Sequence, residues 1–158
     1  MTDTIEERTH VAAPPMAVYR AVADLRRMGR WSPECVRVLT RHPGPTPTGA
    51  RFVGVNRDGR HRWATTGRVA VADPPAEFAF DVSVLGLPVA RWGYRFEPSG
   101  EGTELTEYWV DRRGSGLHRR VIVWLGRAFA GVPADRRVEH NRAGMRATLA
   151  RIAEQVSG

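Results

Sequence analysis

The chemistry-bearing feature of this chain is a carboxylate set among aromatic side chains. From Cys35 to Arg112 the apolar residues recur with a period of two, which puts Phe52, Trp63, Phe78, Phe80, Trp92, Tyr94 and Trp109 on one side of successive extended segments. Glu107 has the same parity, two residues before Trp109, and so do Asn56 and Thr65. Buried polar groups must find partners, and a carboxyl facing an apolar interior shifts its pKa, pairs or meets water. Glu107 therefore has three readings: a structural partner of Trp31, Asn56 or an inward arginine, a contact for a bound molecule, or a general acid/base with Tyr94 and Asn56 as accompanying donors and acceptors. Glu107 and Tyr94 are the candidates for catalysis. A few convergent polar groups in an aromatic shell also describe a ligand pocket.

Other reactive patterns are missing from the sequence. There is no Gly-x-Ser-x-Gly elbow, no Gly-rich phosphate loop and no pair of histidines at metal-ligand spacing, so neither cofactor nor metal is expected. His10, His42 and His61 fall on polar faces or turns. His118 and His140 flank the helix break Gly131-Val-Pro133, within reach of a cavity mouth but read as surface residues. Cys35, the sole cysteine, excludes an internal disulfide and reads as a small apolar filler at the head of a strand.

The elements that must position these groups follow from the same periodicities. Thr4 to Ala12 alternates, with Ile5, Thr9 and Val11 opposite Glu6, Arg8 and His10, as in a half-buried strand. Pro14-Pro15 suits a first helical turn, with Val18, Val22 and Leu25 at helical spacing, and Asp24 caps a second short helix ending before Pro33. Six strands then follow. Val36 and Val38 face inward on the first, Phe52, Gly54 and Asn56 on the second, and Trp63, Thr65, Val69 and Val71 on the third after an Asp-Gly hairpin at Arg57–Arg60. Phe78, Phe80, Val82 and Val84 face inward next, then Ala90, Trp92, Tyr94 and Phe96 after a turn at Gly86-Leu-Pro88, and last Leu105, Glu107 and Trp109. Leu117 to Ala130 reads as an apolar helix, and Val138, Asn141, Met145, Leu149, Ile152 and Val156 form one continuous stripe on a long final helix, with Arg136, Arg137, Arg146 and Arg151 mostly off it.

The predicted fold is α+β: a seven-stranded curved antiparallel sheet around a long C-terminal helix, with two short helices after the first strand. One helix, about 10 Å wide, cannot fill the concavity of seven strands, so a cleft is expected between them. The length of 158 residues suits one domain, residues 1–158. Trp31, Phe52, Asn56, Trp63, Thr65, Phe78, Phe80, Trp92, Tyr94, Glu107, Trp109, Asn141 and Met145 are the residues expected to contact a ligand there.

With 24 basic and 17 acidic residues the net charge is +7, and every basic residue is an arginine. Arg51, Arg57, Arg62, Arg68, Arg91 and Arg95 fall opposite the aromatic positions, so most of this charge solvates the outer face. Arg112-Arg113, Arg119-Arg120 and Arg136-Arg137 bracket the apolar segment 121–129. They read as solvated faces or as peripheral contact with an anionic membrane, and nucleic acid is disfavoured for want of a recognition-helix pattern. No inward arginine is evident on the strands. No apolar run approaches the roughly 18 residues of a spanning helix and the N-terminus lacks a signal-peptide build, so the expected location is cytoplasmic.

The chain resembles the START-like, helix-grip (SRPBCC) superfamily, and within it the bacterial polyketide cyclase/dehydrase and lipid-transport group. The resemblance spans nearly the whole chain. It rests on Val11-Ala-Ala-Pro14, Val22-Ala-Asp-Leu25 followed by Trp31-Ser-Pro33, Gly49-Ala-Arg-Phe52 with Asn56, and Trp63. Further along it rests on Arg91-Trp-Gly-Tyr-Arg-Phe96, Gly102-Thr-Glu-Leu-Thr-Glu107, Gly144-Met145 and Thr148-Leu149. It implies a hydrophobic cavity between sheet and last helix that binds a small apolar ligand (lipid, polyketide or similar), with roles from carriage or sensing to aromatase/cyclase or dehydrase chemistry.

Overall fold

In a computed structural model the described residues are 4–130 and 134–157, the side chains of 125–130, 134 and 135 excepted. The break expected at Gly131-Val-Pro133 lies outside them. Strand β1 (Thr4–Val11) is followed by α1 (Pro15–Ala23) and a 3₁₀ helix (Leu25–Arg30). Then come β2 (Cys35–Leu39), β3 (Arg51–Asp58), β4 (His61–Asp73), β5 (Glu77–Val84), β6 (Leu87–Ser99), β7 (Gly102–Asp111), α2 (Gly116–Ala130) and α3 (Ala134–Val156). The strands form one curved antiparallel sheet in the order β1-β7-β6-β5-β4-β3-β2. This is the expected α+β helix-grip arrangement.

The concave face is filled unevenly. At one end α1 and the 3₁₀ helix close it: Val18, Tyr19, Leu25 and Trp31 pack with Phe78, Phe96, Leu105 and the α3 residues Leu149 and Ile152. Asp24 starts the 3₁₀ helix by accepting the Arg26 N–H. Toward the other end α3 carries Met145 onto Ile5, Ala90 and Trp109. Ion pairs tie the helix to both rims of the sheet. Glu7 of edge strand β1 accepts from Arg142 at 2.7 Å and pairs with Arg146 at 3.3 Å, while Arg137 reaches Glu34, just before edge strand β2, at 2.7 Å. The hydrogen bond from Arg142 holds the Glu7 carboxyl below its ordinary pKa.

Four sequence expectations change. A bulge between Cys35 and Arg37 leaves Val36 half exposed and puts Cys35 inward in its place, while Val38 faces inward as expected. A second bulge at Ala70 sets Val71 opposite Ala79, off the inner face, and Ala72 takes its place against the core. The β5–β6 turn is Leu85-Gly86, both at positive φ, so Leu87 and Pro88 already belong to β6. Val138, two turns from Met145 on the same helical side, is exposed and joins neither apolar cluster.

Gly67 fixes one wall. It pairs with Phe52 across β3–β4, and a Cβ there would stand 2.1 Å from the Phe52 ring, which occupies the space above the glycine. Gly67→Ala therefore overpacks the site and is expected to cost roughly 1–3 kcal/mol. Guanidinium denaturation tests this, and an unchanged midpoint would show that the ring moves aside freely.

Candidate functional site

Between the sheet and the N-terminal half of α3 lies a cavity of about 760 Å³. Its walls are Phe52, Phe80, Val82, Trp92 and Trp109 from the strands, Met145 from α3, and Ile122 and Val123 from α2, which lies across the opening. The sheet supplies these because alternation sends every second residue inward, and α3 supplies Asn141, Met145 and Thr148 because residues three and four apart share a helix face.

Polar groups interrupt the apolar lining. The Tyr94 hydroxyl donates to Glu107 Oε1 at 3.0 Å, and both side chains are buried. The other carboxyl oxygen, Glu107 Oε2, is buried with no partner among the described residues. Burial pushes the Glu107 pKa up to about 8 against the lowering effect of the Tyr94 hydrogen bond, so near neutrality the group is mostly a neutral acid. Burial beside Glu107 likewise raises Tyr94 well above its ordinary value. Asn56 Nδ2 donates to Thr65 Oγ1 at 3.2 Å and is satisfied locally. Asn141 Oδ1, on the helix side, is a second buried oxygen without a partner among the described residues.

The rim carries the charge. His140 Nε2 stands 3.4 Å from Asp58 and 3.7 Å from Glu34, beside the Arg137–Glu34 pair. Arg113 is buried over Trp109, 6.0 Å from the ring centroid, and its guanidinium grips Asp111 through two hydrogen bonds. Burial alone would raise Asp111, but the bonds from Arg113 and Arg119 outweigh it and hold the carboxyl below the usual range. Cys35 lines the wall with its thiol pushed up to about 11 by burial, a neutral and unreactive group at ordinary pH.

A family model described as "Polyketide cyclase / dehydrase and lipid transport" matches residues 2–156. The chain belongs to this family. A polyketide-cyclase-like protein of Corynebacterium glutamicum is 30% identical over 97% of this chain and 90% of its own, with a TM-score of 0.55. A Chromobacterium violaceum protein is 18% identical, with 99% of each chain covered and a TM-score of 0.70. The di-domain ARO/CYC protein BexL of a biosynthetic pathway is 17% identical with a TM-score of 0.70, over 99% of this chain and 50% of that one. The last two, at such low identity, share the fold. No curated protein sequence matches the chain.

Of the thirteen residues expected at a ligand site in this family member, eleven line the cavity. The exceptions are Trp31 and Phe78. Both are fully buried at the closed end, where α1 and the 3₁₀ helix occupy the concavity: Trp31 lies under the Arg27 guanidinium and Phe78 meets the edge of Tyr19. Arg113 is buried and corrects the expectation that the Arg112-Arg113 pair is solvated, though it lies off the strands, for which no inward arginine was expected. Two residues past the end of β7, it escapes the strand parity that excluded it. Glu34, Arg137 and His140 were also missed as lining residues. Arg137 had a signal, since it lies four residues before Asn141 and hence on the same helix face.

The raised Glu107 pKa has a defined consequence for stability. Because its folded-state value of about 8 exceeds the ordinary 4.5, the folded chain binds more protons between those values and stability falls as pH rises through them. Glu107→Gln keeps an acceptor for Tyr94 without an ionisable proton. It is expected to gain stability relative to the parent between about pH 5 and about pH 8, by an amount on the order of a few kcal/mol. Equal differences between the two proteins at both pH values, in chemical denaturation, would show that Glu107 titrates normally.

Proposed function

We propose that this protein binds a small, neutral, oxygen-bearing apolar molecule between its sheet and C-terminal helix and acts as its carrier or sensor. The observation that carries this reading is a largely apolar cavity two of whose lining residues, Glu107 and Asn141, each hold a buried side-chain oxygen, Oε2 and Oδ1, with no protein partner among the described residues. An unmade hydrogen bond at a buried group costs about 1–3 kcal/mol, which a ligand oxygen or hydroxyl at these points would recover. As a neutral acid Glu107 donates from Oε2 to a carbonyl, ether or phenol oxygen, and the Asn141 amide either donates or accepts.

Size and energetics support the same conclusion. The volume of about 760 Å³ falls within the roughly 300–1,000 Å³ of small-molecule sites. The space is open at one side and fills with water or a guest, and walls of Phe, Trp, Val and Met favour an apolar guest over water. The family's description, which names both lipid transport and polyketide cyclisation or dehydration, is consistent with such a guest.

A second reading uses the same cavity for polyketide aromatase/cyclase or dehydrase chemistry. It is favoured by one observation: a carboxyl that stays protonated near neutrality, held by Tyr94 and buried at the wall of the cavity, is the general acid needed to help a hydroxyl leave as water. The likeness to the ARO/CYC protein BexL agrees with it. Chromatography with mass spectrometry of a hydroxylated guest after incubation separates the two readings: carriage returns it unchanged, dehydration returns it lacking water, and cyclisation without dehydration returns an isomer of changed retention.

Fluorescence titration with a neutral naphthyl ketone tests the site. Saturable one-site binding is expected, about tenfold weaker in Asn141→Ala because one polar contact is lost. Val82→Trp, which projects a ring into the cavity from β5, is expected to weaken binding at least about tenfold while retaining the parent circular dichroism. Undiminished binding by a folded Val82→Trp would move the guest elsewhere.

A further inference from the structure

The cavity's lid has a second, outward side. Helix α2 turns Ile122 and Val123 to the cavity but presents Leu117, Val121 and Trp124 to solvent, 77%, 38% and 66% exposed. These three are spaced i, i+4 and i+7, one stripe along the helix. Leu85, at the tip of the β5–β6 turn, is 79% exposed, yet also borders the cavity. Helix and turn lie at the same end of the sheet, because the chain leaving β7 is bonded back to β6 through the Arg112 N–H and the Val89 carbonyl. The result is a set of exposed apolar side chains on the two elements, α2 and the β5–β6 turn, that also border the cavity.

The segment that carries this surface is rich in positive charge. Residues 112–130 contain five arginines and no acidic residue. The sheet supplies the counter-charges: Asp81 takes Arg112 as well as Arg91, and Asp111 takes Arg113 and Arg119, so each carboxylate is shared by two guanidiniums and the region stays net positive. Arg120 is exposed beside the apolar stripe.

We propose that the outer face of α2, together with Leu85, docks on an anionic lipid bilayer, with Leu117, Val121 and Trp124 entering the interfacial layer and the arginines meeting the headgroups. Charge complementarity selects this occupant. A two-fold contact between copies through α2 would set arginines against arginines, whereas anionic headgroups neutralise them and accept the tryptophan at the interface. Docking at this face brings the cavity mouth to the membrane, so a guest passes between bilayer and cavity without crossing water. The inference is independent of the guest's identity.

Co-sedimentation of the full chain with phosphatidylcholine vesicles, with and without about one-third phosphatidylglycerol, tests it. The protein is expected to sediment with the anionic vesicles and not with the neutral ones. Arg120→Gln is expected to lower partitioning about fivefold, and Leu117→Ser combined with Trp124→Ser to abolish it while leaving the circular dichroism unchanged. No retention on anionic vesicles, or equal retention of the folded double variant, overturns the proposal. So does a dimer in size-exclusion chromatography that the double variant dissolves without vesicle binding, which would assign the face to a second copy.

Discussion

The constraint on which the rest of the structure depends is the mismatch between one helix and the apolar face of seven strands. Helix α3 has only enough apolar length to seal part of that face. Its second half seats Leu149 and Ile152 in the closed core with α1 and the 3₁₀ helix, and its first half offers Arg137, His140 and Asn141, which no packed core accepts. That half stands away from the sheet, held at both edges by Glu7 and Glu34. Partly exposed ion pairs of this kind are individually worth little, about 0–1 kcal/mol. Their contribution is to fix where the helix sits, and the cavity is the space that position leaves.

The same division sorts charge from neutrality. Around the mouth, carboxylates and guanidiniums pair and remain ionised, as the lowered pKa of Asp111 shows. In the interior, desolvation removes charge instead, so Glu107 is carried as an acid and Cys35 as a thiol. An interior without formal charge, with hydrogen-bonding oxygens at Glu107 and Asn141, suits a neutral guest with polar points better than an ion. Whether the acid only binds or also transfers its proton is the difference between a carrier and a cyclase or dehydrase, two roles one fold can host.

Much of this was legible in the sequence. The period-two alternation from Phe52 to Trp109 assigned strands and inner faces, because side chains must alternate along a pleated strand, and it put Glu107 inside from its parity alone. It failed at Val36 and Val71, where bulges insert a residue and reverse the parity. It turned Phe78 inward as found, but parity says which side a residue faces and not which end of the concavity the helices fill, so it carried no sign that Phe78 packs in the closed core, as Trp31 of the opening helices also does. Arg113 and the meeting of Glu34 with Arg137 and His140 were illegible for a related reason: although helix spacing put Arg137 on the face of Asn141, its pairing arises where separate elements converge, and local periodicity carries no record of that.

The most direct test of the central claim is native mass spectrometry of the purified protein, before and after incubation with a set of neutral polycyclic phenols and ketones. The account predicts one small apolar molecule per chain, either carried through purification or taken up from the set, and depleted in Val82→Trp. A bare polypeptide mass under every condition, from protein shown to be folded, would contradict it.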